Sequence, residues 1–506
     1  MLFHDQKLTF FKLIFLLYLS LFLGLFSAPT LAASSHYDCA ELFTLEVKSA
    51  DRTLDREGNT QIQGYLDDTI HSLNQMRGAN GLLNDTIWIE SKADGSNIIR
   101  AVQSNTSPSN IGADLIVQTE LAIRNSDSTA RSNLNQILST LKGLAKHNES
   151  GLFFSWYSTD QTSKVANYAV SSIDNLHLAI ALWTIKESFS GTELARRAEE
   201  LFRPMNFSMF YDVPTGLIHG NFAYIDGKWV RETYTFANMG SEARLLYTAG
   251  WALGLFKNFS KKTDFVAKAC TAMKCEILQT EHGPMLLHDS LLKEWTGSAF
   301  QLYFPEKFGG EENYSPVIKN LYKSLGNYMI AEGERRGIAL PAGCSPCVVG
   351  IIEDKNGNFY SEYNPNLGNI ALVSSDNQDV LDPSAAAKWE ATVTPHALVM
   401  AAVSNIKSFL PILRKTESIK SGNNALYIKG MGWADALKVV GPDAGTVVPA
   451  QEAISQTVIA ISLMQIQSAD GLSASGRALF KNRKVRARMK LAYQIVDGKL
   501  KEEASK

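Results

Sequence analysis

Apolar helical segments alternating with amphipathic ones, six times over, predict an all-α protein. Its expected form is a toroid of helical hairpins, an (α/α)6 barrel with short β-hairpins on its rim. Three observations carry that reading. Segments too apolar to face water on any side start near Ser109, Ser172, Ser241, Thr296, Thr394 and Glu452. More polar segments of helical period lie between them, at 130–146, 192–203, 260–278, 315–335 and 405–417, with another around Gln61 to Met76. Several starts also carry helix-start chemistry: a serine shortly before an acid, or Thr394 followed by Pro395. An inner ring buried on every side and an outer ring wet on one side satisfies both segment types. Parallel inner helices would gather their N-termini, and the acids there, at one end.

The chain opens with Lys7 and Lys12, an apolar run from Leu13 to Phe26, and the small residues of APTLAAS. This order predicts a signal peptide over residues 1–33, cleaved after Ala32 or Ala33; an uncleaved membrane anchor is the other reading. No other stretch is apolar and long enough to span a bilayer, so the mature chain is expected to be a soluble exported protein. Roughly 470 residues remain, enough for one large domain or two medium ones. Hydrophobic residues at 45% and charged residues at 20% describe a globular chain with a sizeable core. A net charge of −2 argues against nucleic acid as the main partner.

Residues 34–105 are polar and weakly patterned, and are expected to pack on the barrel or to supply an outer helix. The barrel itself is expected over 106–470. Its most informative stretch runs from Ser150 to Phe256, where Asp174 in SSIDN and Glu242 in SEAR each closely follow a serine and precede a long apolar run. Serine caps free backbone N–H groups and the acid suits the positive end of the helix dipole. Segments 217–230 and 347–363 read as rim hairpins with DG and NG turns. The basic run FKNRKVRARMK opens a C-terminal helix or tail, 471–506, read as solvated. Of the five cysteines, 270/275 and 344/347 are spaced to close small loops, leaving Cys39 free. GCSPC also admits a redox pair or half a zinc site, but no second cysteine pair or His cluster completes a metal site, so a structural or incidental pair is favoured.

The ordered motifs NIG (110–112), LFFSWY (152–157), VSSIDN (170–175), MNFSMFYD (205–212), GSEARLL (240–246), WTGSAF (295–300), CSP (344–346), EYNPNLG (362–368) and VTPHA (393–397) resemble one bacterial set. It is the glycoamylase-like domain family related to exported endo-β-1,2-glucanases and cyclic β-glucan synthases. Within it, the likeness extends to a less characterised exported branch with FYD-type and TEAR-type motifs. The resemblance spans about residues 105–465 and implies an (α/α)6 barrel acting on bacterial glucans without a cofactor. It implies Glu242 as the general acid. It also places the base shortly before Pro395, where Glu390 is the nearest carboxylate, with Glu362 as the other candidate. Synthase-type relatives carry a Glu between two serines where this chain has Ser345-Pro346-Cys347, a departure that points away from retaining chemistry and toward inversion or no hydrolysis.

Hydrolysis of a glycosidic bond needs a protonated carboxyl at the leaving oxygen and an ionised one for water. A helix start and Arg244 both oppose protonation of Glu242, so burial or a second carboxylate has to overcome them. Asp174, with Asn175 beside it, is expected to hold sugar hydroxyls or to raise the pKa of Glu242; a cap is the plain alternative for both acids. Asp212 and Arg244 complete the polar set, and His396 packs or binds sugar. Phe154, Trp156, Tyr157, Phe210, Tyr211, Trp295 and Tyr363 suit pyranose stacking, or else fill core and rim. Two function classes follow. One is an exported hydrolase of a β-glucan or exopolysaccharide. The other is a non-catalytic polysaccharide-binding or machinery-associated protein. Either takes a poly- or oligosaccharide as partner, with envelope association through the N-terminus and a monomer as further expectations.

Overall fold

The computed structural model describes residues 53–259, 264–287, 298–335, 337–338, 340–341, 348–363, 392–439 and 443–505. Fourteen α-helices lie among them. In chain order the first seven are α1 (Arg56–Gln75), α2 (Pro108–Arg124), α3 (Ser128–Gly143), α4 (Ser172–Ser188), α5 (Glu193–Phe202), α6 (Trp251–Leu253) and α7 (Asp264–Ala272). The rest are α8 (Ser298–Gly309), α9 (Pro316–Arg335), α10 (Pro395–Ala402), α11 (Ile406–Thr416), α12 (Ala453–Gln467), α13 (Ala474–Lys481) and α14 (Arg483–Ala504).

The inner ring consists of α2, α4, the segment ending in α6, α8, α10 and α12. Helix α2 packs on α4 and α12, α12 on α10, and α10 on α8, which reaches α4. Their sequences explain the position: nearly every residue of α2, α4 and α12 is buried, because no face carries enough polar groups to meet water. The outer helices are the amphipathic ones. Helix α5 buries Leu194, Ala195, Ala198 and Leu201 and turns Glu193, Arg196 and Glu200 outward. Helix α1, from the stretch preceding the barrel motifs, packs on α12 as an outer helix. The fold is an (α/α)6 barrel.

The starts of α2, α4 and α12 share one end. Ser109 reaches Asp174, Asn110 Nδ2 donates to Asp85 Oδ1 (2.9 Å), and Asp85 accepts from the Ala453 N–H (2.7 Å). The other ends of α2 and α12 also meet, where Arg124 bonds the Met464 carbonyl. The third inner segment departs from the expected continuous helix over 243–256. A turn at Ser241–Ala243 leads into a π-helical stretch, Leu246–Gly250, and α6 stops at Gly254, which takes a left-handed conformation (φ 78°). Leu245 packs at Gly309, the end of α8, and Gly250 lies against Leu176, near the start of α4.

Rim hairpins form where turn chemistry marks them. Asn221–Ile225 pairs with Lys228–Arg231 across Asp226-Gly227, both at positive φ, and Val348–Glu353 pairs with Phe359–Tyr363. The stretch 86–103, part of the polar and weakly patterned region, holds a strand, Thr86–Ser91, between Asn97–Gln103 and Ala450–Glu452, with Ile87, Trp88 and Ile89 buried. The C-terminal helix is solvated on one face only. Val485, Met489, Ala492, Tyr493, Val496 and Leu500 are buried where α14 packs on the π-helical stretch, α6, α7 and α9. Cys270 is a core thiol on α7, pushed up to about 12 by burial and not bridged to Cys275. Cys39, Cys344 and Cys347 lie outside the described residues. Among the described residues no helix is long and apolar enough to cross a membrane.

Candidate active site

The site is built where α2 and α4 come closest. A Cβ at Gly112 would lie 2.8 Å from the backbone of both His177 and Leu178, so only glycine permits this approach. That contact brings Ser109, in the first turn of α2, onto the first turn of α4. Helix α4 starts at Ser171, whose Oγ accepts from the Asp174 N–H (3.3 Å). Asp174 is half-buried. Its Oδ1 accepts from Ser109 Oγ at 2.5 Å, and Ser109 Oγ lies 2.8 Å from His177 Nδ1. Burial raises the Asp174 pKa, while the Ser109 and Ser171 hydroxyls act against the rise.

Glu242 sits in the turn before the third inner segment and is half-buried. The described residues offer its carboxyl no hydrogen bond. Burial pushes its pKa up to about 8, the negative charge of Asp174 adds to the rise, and Arg244 opposes it. With its pKa pushed up to about 8, Glu242 at neutral pH is a protonated carboxyl that touches solvent and lies within the field of a second acid. Such a group can donate a proton to a bound oxygen.

Arg244 does not quench it. Its guanidinium is wholly buried and spends its donors elsewhere: Nε and Nη2 on Glu311 (2.9 and 2.8 Å), Nη2 also on the Leu302 carbonyl and Tyr322 Oη, and Nη1 on the Met239 and Ser241 carbonyls. Tyr493, from α14, donates to Glu311 Oε1 (2.5 Å). Arg244 thus anchors the segment behind Glu242 and offers nothing to a sugar.

The remaining candidates divide by environment. Asn175 is fully buried and clamps the LFFSWY loop: Oδ1 accepts from the Phe153 N–H (2.8 Å), and Nδ2 donates to the Phe153 and Ser171 carbonyls. Tyr157 is buried too, donating to the Ala145 carbonyl (2.6 Å) and accepting from the Phe154 N–H. Phe210 is core, and Tyr211 packs on Phe259 and Phe265. Asp212 closes a local turn on Thr215, which lowers its pKa. His396 is buried, its pKa pushed down to about 3, with Nδ1 3.9 Å from Asp435 Oδ1. Thr394 starts α10 without a side-chain cap. Trp156 stays half-buried on the strand Trp156–Ser158. Glu390 and Trp295 lie outside the described residues, as do the side chains of Glu362 and Tyr363, whose backbone forms a hairpin strand.

Ser109 and His177 belong to this site although the sequence did not nominate them. Position 177 is three residues after Asp174, the spacing of one helix face, and the smallness of Gly112 is the only other trace of their meeting. Among the described residues no group of three or more His, Cys, Asp or Glu is placed to hold a metal ion.

No family model and no curated protein matches this sequence. Solved structures do. The endo-β-1,2-glucanase of Chitinophaga pinensis, in complex with sophorotriose and glucose, superposes with a TM-score of 0.62 at 12% identity, over 87% of this chain and 98% of that one. The endo-β-1,2-glucanase of Talaromyces funiculosus with sophorose gives 0.64 at 12% identity, over 93% and 92%. A β-1,2-glucanase from Parabacteroides distasonis gives 0.57 at 10%, over 87% and 60%. The barrel described above is similar in fold to these glucanases, in keeping with the motif resemblance.

Proposed function

We propose that the protein is an exported glycoside hydrolase that cleaves a β-glucan or exopolysaccharide with inversion, using Glu242 as general acid. What carries this reading is a half-buried Glu242 that touches solvent, takes no hydrogen bond from the described residues, and is pushed up to about 8 by burial and the charge of Asp174. Glu242 gives its proton to the leaving glycosidic oxygen as the C–O bond breaks. A base takes a proton from the water whose oxygen attacks the anomeric carbon from the opposite face, the two carboxyls standing roughly 6.5–9.5 Å apart. Glu362 and Glu390 are the proposed bases. Asp174 holds the proton on Glu242 through its charge. Trp156, half-buried, is the described aromatic best suited to stack on a pyranose ring. The fold shared with β-1,2-glucanases supports the substrate class, and the signal-peptide pattern of residues 1–33 supports export.

The test is a glycan panel, β-1,2-glucan included, with products sized by mass. Wild type should cleave one member, and Glu242→Gln should lower turnover by on the order of 10²–10⁴-fold. Affinity should change little, because ground-state hydrogen bonds survive the substitution. Near-normal turnover in the variant would remove the assignment of Glu242. Glycan binding by wild type with no cleavage anywhere in the panel would favour the non-catalytic reading.

A further inference from the structure

Resting on the hydrolase reading of Glu242, we propose that His177 and Ser109 form a donor chain, His177 Nδ1–H to Ser109 Oγ and Ser109 Oγ–H to Asp174 Oδ1, that fixes Asp174 as an aimed carboxylate whose charge acts on Glu242. The two are positioning residues: neither is asked to touch the sugar.

Proton counting supports the direction of the chain. Burial among aromatic rings pushes His177 down to about 3, so the imidazole is neutral and carries one N–H. Its Nε2 has no hydrogen-bond partner among the described residues, and the ring packs against Phe304 and Phe308, each 4.6 Å away between centroids. A proton on Nε2 would be a buried donor without an acceptor, a costly arrangement. On Nδ1 the same proton meets Ser109 Oγ at 2.8 Å. Ser109 has a single hydroxyl proton, and once its oxygen accepts from His177, that proton goes to Asp174 Oδ1 at 2.5 Å. A hydroxyl so committed favours an ionised acceptor. Every group in the chain is then satisfied except Nε2, which as a bare lone pair against rings costs less than a bare N–H.

The consequence is asymmetry in a carboxyl pair. Asp174 and Glu242 are both raised by burial, and the charge of Asp174 adds to the rise at Glu242. Among the described residues the charged groups acting on Glu242 are Asp174 and Arg244, and the groups hydrogen-bonded to Asp174 are the hydroxyls of Ser109 and Ser171. Of the two acids, Asp174 is the one with hydroxyl partners among the described residues, so the charge settles there and the proton on Glu242. Which carboxyl is the acid is decided by the helix packing that Gly112 permits.

Side-chain ¹⁵N NMR on the full chain reads the tautomer directly, with His177 assigned through its backbone or by its loss in His177→Gln. The proposal expects a neutral Nδ1–H imidazole throughout pH 5 to 8. An Nε2–H tautomer, or an imidazolium titrating in that range, would overturn it whether or not the protein cleaves glycans. In Ser109→Ala the basic limb of kcat/KM should move to lower pH, because Asp174 becomes easier to protonate and its charge no longer holds Glu242 up. Turnover should fall by on the order of tenfold, the worth of one hydrogen bond to a charged group. An unmoved limb in a folded variant would count against the chain. An Nδ1–H tautomer in a protein that cleaves nothing would leave the chain standing and remove the hydrolase reading instead.

Discussion

Glu242 and Glu306 are both pushed up to about 8, chiefly by burial with a neighbouring acid adding to the rise, yet they differ in access and in hydrogen bonding. Glu306, on α8, is sealed in the core. It accepts from the Glu312 N–H at 2.9 Å and from Gln465 Nε2 at 3.4 Å, with Lys307 acting on it as a nearby charge. Glu242 keeps contact with water and takes no hydrogen bond from the described residues. A raised pKa therefore does not by itself identify a reacting group. What separates the two is access together with unspent hydrogen-bonding capacity: Glu306 is a protonated strut and Glu242 a protonated tool. Arg244 sharpens the contrast, because two residues beyond Glu242 it is as fully committed as Glu306.

The comparison can be broken first at the committed side. Arg244→Met leaves Glu311 buried without its guanidinium partner, with only Tyr322 and Tyr493 to bond it. Unfolding stability should drop by about 3–5 kcal/mol, seen in denaturant titration. A loss under about 1 kcal/mol would mean the cluster is not the anchor described here.

A smaller effect is expected at the approach of α2 to α4. Gly112→Ala places a methyl 2.8 Å from the His177 and Leu178 backbone, where no side-chain rotation relieves it. The expected cost is about 1–3 kcal/mol. Activity should fall by more than stability explains, because Ser109 is carried away from Asp174.

The smallest effect has the opposite sign. Glu242 has a folded pKa of about 8 against an ordinary value of 4.5, so the folded state holds the extra proton between those values. Stability is then fully present below about pH 4.5 and declines as pH rises through 8. Glu242→Gln removes that decline. It should stabilise the protein by about 1–3 kcal/mol near pH 8, less than full linkage because Glu242 touches water, and should change little near pH 4. A variant that is less stable at every pH would contradict the environment assigned to Glu242.

How much of this was legible in the sequence depends on the kind of information. Buried helices announce themselves by composition, so α2, α4, α8, α10 and α12 could be placed from apolar runs and start signals. The π-helical third segment could not: Leu246–Gly250 is as apolar as an α-helix, and nothing in its composition marks the change of winding. Strand Thr86–Ser91 escaped because its partners lie in 97–103 and, hundreds of residues away, at Ala450–Glu452. Glu242 and Asp174 were visible as acids at helix starts. That Arg244 turns away to Glu311, or that Asn175 is consumed by the Phe153 backbone, was not, since both partners are fixed by tertiary contacts. The GSEAR motif names a carboxylate and a cation side by side without saying that the chain sends them to different places.

The central claim, that Glu242 is a carboxylic acid at neutral pH, is tested most directly by its own titration. Infrared difference spectra of wild type minus Glu242→Gln, recorded across pH, isolate the protonated carboxyl band of this residue. The band should persist through neutrality and disappear with a midpoint near 8. A carboxylate band already dominant at about pH 5, the behaviour of an ordinary exposed glutamate, would contradict the account.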